Sequence, residues 1–323
     1  MNSTAALLPV ILIISCGYLA ARIGWIRSEH LPGLANVVFL VLNPALMFRT
    51  MSHVGFSGMD YFPIAVYLAA ALAIYVGVSV FLGRTQRAYV IGLACVFSNH
   101  VMIGIPLISL AYGTQGLAIL IALISIHALT LLSVATLMLE WRKARDEMAQ
   151  DHLSAEGHRA GSYRYVLKVV GRTAYRAIVH PVIFPIALGL IWNWLGLPLP
   201  GPVDKALMTM GQANGAMSLV LVGATLAHTR IKGEFLGAFK VSLVKNVAMP
   251  VLIFSMGWLL GVRGLPLAVI TVAAGLPTGN NAYLFSHRYG HAQALVTASM
   301  AMATVVSIFT LALSMFFVGR YVL

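Results

Sequence analysis

Two apolar stretches of this chain are interrupted in the same manner, one in each half. The first carries Ser98-Asn99-His100-Val101-Met102-Ile103-Gly104-Ile105-Pro106, and the second Gly275-Leu276-Pro277-Thr278-Gly279-Asn280-Asn281. In a membrane, a backbone released from helical pairing is tolerated only where it faces protein or a water-filled cavity. Paired Gly/Pro interruptions at corresponding places in two halves are the sequence pattern expected of a midplane binding site. The chain therefore has to be read first as a membrane protein, then as a duplicated one.

Composition agrees with the first reading. Apolar residues make up 60% of the chain and charged residues 9%, with a mean hydropathy of +0.89; soluble domains carry about 25% charged residues. Little chain is left for a separate soluble domain. The first apolar run has no basic segment before it, and Arg22 and Arg27 follow it, so it reads as a retained helix rather than a signal peptide. Cys16 and Cys95 lie inside apolar runs and read as small buried hydrophobes.

A helix needs about 20 apolar residues to cross the hydrocarbon core. Ten spans follow, at about 4–22, 31–52, 62–83, 88–112, 115–140, 178–197, 202–228, 236–260, 265–288 and 292–318. A hydrophilic segment at 141–177 divides a first five-helix unit, 1–140, from a second, 178–323. With the N-terminus outside, the inner segments hold sixteen Lys/Arg residues and the outer ones four (Arg49, Lys205, Arg263, Arg320), with Lys245 inside a span. Basic residues favour the cytoplasmic side, so both termini are expected outside and the central loop inside. The net charge of +12 is then a topology signal and not a footprint of nucleic acid. Neutralising Arg159, Arg164 and Lys168 in that loop is expected to leave transport kinetics nearly unchanged.

Five spans is an odd number, so two copies of a five-span unit must enter from opposite sides. Three echoes support duplication. Leu31-Pro32-Gly33 matches Leu199-Pro200-Gly201, and Asn43-Pro44-Ala45-Leu46 matches Asn214-Gly215-Ala216-Met217. Ser109-Leu110-Ala111-Tyr112-Gly113 matches Ser286-His287-Arg288-Tyr289-Gly290.

At the breaks, Pro106 lacks an amide hydrogen and its ring clashes with the carbonyl of residue 102 in a regular helix. Gly104 adds backbone freedom, and Pro277 and Gly279 do the same in the ninth span. Each break creates a half-helix N-terminus equivalent to roughly +0.5 charge, which attracts anions. Two such ends, joined by the amides of Asn99, Asn280 and Asn281, form a candidate anion site. None of the nine acidic residues falls in the middle of a span, although sodium sites and proton relays usually employ a buried carboxylate. The titratable groups within spans are His100, in the break; His127, read as a hydrogen-bonded packing residue; and Lys245, about nine residues into its span. Lys245 either reaches back to the cytoplasmic interface or faces the cavity and attracts anions. Asn43 and Asn214 read by default as interhelical hydrogen-bonding residues. Metal-ligand spacing, nucleophile–base pairs and phosphate loops are absent from the sequence, so neither an enzyme, a metal site nor a cofactor is expected.

The run from Asn99 to Leu107 closely resembles the fourth-helix crossover of the auxin efflux carrier family, which includes the plant PIN carriers and bacterial relatives described as malonate or organic-acid permeases. The resemblance covers the whole chain, with Leu276-Pro277-Thr278-Gly279 as the second crossover. It implies a fold shared with bile-acid/sodium symporters: an all-α polytopic protein of two inverted five-helix repeats with crossed broken helices. A scaffold of spans 1, 2, 6 and 7 and an elevator-type transport domain of spans 3–5 and 8–10 are implied, as is a homodimer. The family's carboxylate-binding asparagine corresponds to Asn99 and its crossover prolines to Pro106 and Pro277. Two departures stand out. His180-Pro181 replaces an Asn-Pro expected there, and Asn280-Asn281 is more polar than the PIN pattern, favouring a smaller, more hydrophilic substrate than an indole acid.

The sequence is therefore read as a bacterial inner-membrane carrier of small organic anions, in contact with lipid. The alternative is a sodium-coupled symporter of the bile-acid type. A membrane potential of 100 mV drives a monovalent anion outward by about 2.3 kcal/mol. Transport is expected to be electrogenic and sodium-independent, with a shallow pH dependence carried by His100.

Overall fold

The computed structural model describes residues 7–53, 60–151, 183–229 and 233–323. The expectations at His180-Pro181 and at Arg159, Arg164 and Lys168 lie outside these residues. In the first half, α1 is Leu7–Arg22, α2 Leu31–Val37, α3 Asn43–His53, α4 Phe62–Phe81, α5 Gln86–Val96 and α6 Ile105–Asp151. In the second, α7 is Ile183–Trp194, α8 Gly201–His228, α9 Phe235–Leu243, α10 Met249–Leu259, α11 Gly264–Gly275, α12 Asn280–Tyr289 and α13 Gln293–Tyr321. Wider π-helical turns, Val38–Leu42, His100–Gly104 and Val244–Ala248, join α2 to α3, open α6 and join α9 to α10.

Among the described residues five helices are long and apolar enough to cross a membrane: Ser28–His53, Phe62–Phe81, His100–Lys143, Phe235–Leu259 and Gln293–Tyr321. Leu8–Arg22, Phe184–Trp194 and Gly264–Gly275 are apolar but shorter. The sequence predicts ten, and the shortfall has visible causes. The breaks divide two apolar runs into short pieces, and α8, though long, carries Asp204, Lys205, Gln212 and Asn214.

Turn chemistry places the ends. The Thr85 hydroxyl accepts a bond from the Ala88 amide, 3.1 Å, and starts α5. Helix α11 stops at Gly275 because Leu276, which precedes proline, is held extended at φ −61°, ψ 149°. Gly113, at φ 64° and ψ −158°, is the one non-helical residue inside the run from Ile105 to Asp151 and separates a short segment from the long helix after it. That helix continues through Asp151, so the first residues of the expected central loop are helical.

Helix α1 packs on α8, and α3 on α7 and α8. The α1–α8 contact is close because Gly17 faces the backbone of Val220 and Gly223 faces that of Ile14, where a Cβ would overlap a carbonyl oxygen. Small residues permit this approach in apolar surroundings, where packing rather than water exclusion drives helix association. Arg49 of α3 donates to both carboxylate oxygens of Asp204 on α8, at 2.7 and 3.0 Å. A second set of contacts joins α4 to α5 and α10, α9 to α13, and α10 to α11. The Tyr289 hydroxyl donates to Glu140, 3.0 Å, and ties the end of α12 to α6.

Candidate substrate site at the crossed breaks

The two interruptions cross each other. Phe97 leaves α5 extended, and Ser98 and Thr278 pair as an antiparallel bridge. The Asn99 amide donates to the Pro277 carbonyl at 2.8 Å, and the Gly279 amide donates to the Phe97 carbonyl at 2.7 Å. A Cβ on Gly279 would lie 2.8 Å from the Ser98 carbonyl oxygen. Glycine is required there for close approach. Its φ is not positive, and neither is that of Gly104, so the conformational freedom expected of these two glycines is not what the structure uses. Pro106 sits in the first turn of α6 and not in the break. A π-helical turn precedes it, and the ring packs near Gly215 of α8.

Both half-helix C-termini are capped from a distance. The Thr278 hydroxyl donates to the Ala94 carbonyl at the end of α5, 2.9 Å. At the end of α11, the Lys245 Nζ donates to the carbonyls of Ala274, 2.5 Å, and Leu276, 2.7 Å, while the Asn246 amide reaches that of Gly275, 3.0 Å. The last carbonyls of a helix have no partner within it and favour a cation. Lys245 is fully buried. It neither reaches the interface nor lines a cavity, contrary to both alternatives read from the sequence.

The N-termini are less completely satisfied. The Asn99 Oδ1 accepts from the Met102 amide, 3.2 Å, leaving its Nδ2 without a protein partner among the described residues. The backbone amides of Val101, Asn280 and Asn281 likewise have no protein acceptor among the described residues. All four residues line a cavity of about 220 Å³ that also touches His100 and His127. Asn99 and Asn280 line a larger cavity of about 660 Å³ as well, which extends past Thr225 and Thr304 to His228, Glu234 and Gln293.

Of the residues singled out from sequence, the structure thus brings Asn99, His100, Gly279, Asn280 and Asn281 to the small cavity. Gly104, Pro106 and Pro277 shape the crossing from outside it, and Lys245 caps behind it. Asn43 lines neither of these cavities. Its amide and that of Asn214 are buried with no hydrogen-bond partner among the described residues, so the interhelical bonds expected of them are not made there. His127 also departs from expectation, since both ring nitrogens are buried without a partner among the described residues.

Three further residues, Tyr67, Thr278 and Asn246, contribute to the crossing without having been singled out as site residues. Tyr67 bonds the Ser98 hydroxyl and His100 Nε2, each at 3.2 Å; an aromatic residue in an apolar run gives no signal of such a role. Thr278 and Asn246 are more legible, being polar groups in or beside the interruption and the buried lysine.

The chain matches the family described as "Membrane transport protein" over residues 3–315. It is 23% identical over 320 residues to an "Uncharacterized transporter" of Methanothermobacter thermautotrophicus, covering 97% of each chain. Identity to the "Putative malonate transporter" of Rhizobium meliloti is 25% over 316 residues, covering 95% of this chain and 93% of that one. Auxin efflux carrier component 5 of Arabidopsis thaliana is 22% identical over 231 residues, 66% of each. A membrane transporter, not an enzyme, is what these matches and the apolar helices describe, and the chain belongs to the membrane transport protein family that contains the auxin efflux carriers.

Proposed function

We propose that the protein is a secondary carrier of small organic anions, mono- or dicarboxylates, bound at the crossed breaks. The observation that carries this is the small cavity with three unpaired backbone amides and the Asn99 Nδ2 group on its wall. Opposed half-helix N-termini present donors and partial positive charge to whatever lies between them. A carboxylate accepts from several such donors at once, and hydrogen bonds to a charged group are the stronger kind.

The wide cavity leads to the facing ends of α8 and α9 at His228 and Glu234, the side that the distribution of basic residues makes cytoplasmic, so this state faces inward. Alternating access then needs the crossed helices to move against a support. The packing of α1, α3, α7 and α8 on one another supports a scaffold of that composition, with the remaining helices moving as an elevator in an inverted repeat. A homodimer in a bacterial inner membrane, both termini outside, completes this reading. Half-helix carbonyls are where carriers coordinate sodium. Here the Lys245 ammonium already occupies those of α11, which favours sodium-independent transport over the bile-acid-type alternative.

A thermal-shift screen of purified protein against carboxylates tests the proposal, because a ligand stabilises the folded state by mass action. Malonate or a close homologue is expected to raise the melting temperature. Asn99→Ala should weaken that ligand by one to two decades, matching the loss of about 1.5–3 kcal/mol for a hydrogen bond to a charged group. Unchanged affinity would remove Asn99 from the site.

A further inference from the structure

The two histidines beside the small cavity are bonded very differently. An imidazole has one donor and one acceptor nitrogen when neutral. His100 bonds the Tyr67 hydroxyl through Nε2, 3.2 Å, and that hydroxyl also bonds Ser98. His127 has no hydrogen-bond partner among the described residues, although its ring is 1% exposed and lies against those of Phe97, His100 and Tyr67, with centroids 4.7, 4.6 and 5.5 Å away. A buried polar group without a partner is costly, and native proteins keep few of them. His127 is also a wall residue of the cavity that holds Asn99, Asn280 and Asn281. Its ring and the residues that carry the vacant amide donors therefore border one space.

Resting on the organic-anion reading, we infer that His127 is the proton-accepting group of the carrier, taking one proton when the anion binds and donating it as a hydrogen bond to the substrate carboxylate. The proton comes from water on the open side: neutral imidazole plus a proton gives imidazolium, and no other bond changes. An ion buried without a counter-ion is penalised heavily, and the carboxylate supplies that counter-ion, so proton and anion load together and leave together. The titratable groups facing the ring are Tyr67 from α4 and His100 from the π-helical turn. The charged group whose field reaches the ring is the Lys245 ammonium behind the break. The other polar groups on that cavity, Ser98, Asn99, Asn280 and Asn281, carry no charge. Lys245 is committed to backbone carbonyls and His100 to Tyr67, which leaves His127 as the group free to change its proton.

Isothermal titration of the purified full chain with malonate, at mildly alkaline pH and in buffers of different ionisation enthalpy, reads proton uptake directly. About one proton per bound malonate is expected for the wild type, with affinity falling tenfold per pH unit. His127→Gln should bind more weakly and take up no proton, while His100→Gln should still take one up. Binding without proton uptake by the wild type, or uptake retained in His127→Gln, overturns the inference and leaves the organic-anion reading standing. If His127→Gln does not fold, the wild-type affinity decides alone, a flat pH dependence overturning the inference. If neither malonate nor its homologues bind the wild type, the organic-anion reading fails and this inference falls with it.

Discussion

The first break, Phe97 to Gly104, and the second, Leu276 to Asn281, answer the same problem with different chemistry. At the first, a neutral hydroxyl from Thr278 caps the ended helix, and the restarted helix opens as a π-helical turn capped by Asn99. At the second, a buried ammonium and an amide cap the ended helix, and the restart is α-helical from Asn280. The two N-terminal ends face one cavity, whereas the C-terminal ends are sealed inside protein. Donors are left open where substrate can reach them and acceptors are closed off. On the proposed function, that asymmetry makes the crossing selective for anions.

The sharpest way to break the comparison is at the caps. Lys245→Met leaves two buried carbonyls unpaired at the end of α11, each costing about 1–3 kcal/mol, and should lower the detergent melting temperature more than any of the changes that follow. If it leaves stability unchanged, the ammonium is not the cap. The glycines come next. Gly279→Ala forces a Cβ against the Ser98 backbone and should cost about 1–3 kcal/mol of overpacking with a loss of transport in vesicles. Gly104→Ala meets only the far end of Leu276, at 2.7 Å from Cδ1. A helical glycine-to-alanine change gains roughly 0.5–1 kcal/mol, so that variant should be close to neutral. Equal effects at the two sites would show that the crossing is not held by backbone contact at Gly279. Of the two caps the neutral one should lose less: Thr278→Val should cost about 1 kcal/mol, the net worth of one ordinary hydrogen bond, and a chemical-denaturation midpoint would resolve it from Lys245→Met.

Much of the site's location is legible in the sequence. Asn99, His100, Gly279, Asn280 and Asn281 stand out because glycine, proline and asparagine weaken or end a helix, so their clustering inside apolar runs marks the interruptions, and they do meet at one cavity. The roles are less legible. Gly279 reads as flexible and is instead a point of contact; Pro106 reads as the break and instead follows it. Lys245 reads as a surface or cavity group because a charge in an apolar span has few destinations visible along the chain. Its partners lie 29 and 31 residues away, across a helix pair whose approach is set by packing.

Composition and local backbone chemistry act over a few residues, and they suffice to make this chain helical, apolar enough for a membrane, and interrupted at two related places. Long-range packing is what crosses the interruptions and pairs them through Ser98 and Thr278, brings Lys245 to close one end, and leaves His127 without a partner among the described residues beside the open donors. Those outcomes depend on which distant segments approach to within hydrogen-bonding distance. Apolar helices of similar composition pack against many neighbours almost equally well, so the pairing is set by shape at a few glycines and by the need to satisfy each freed backbone group.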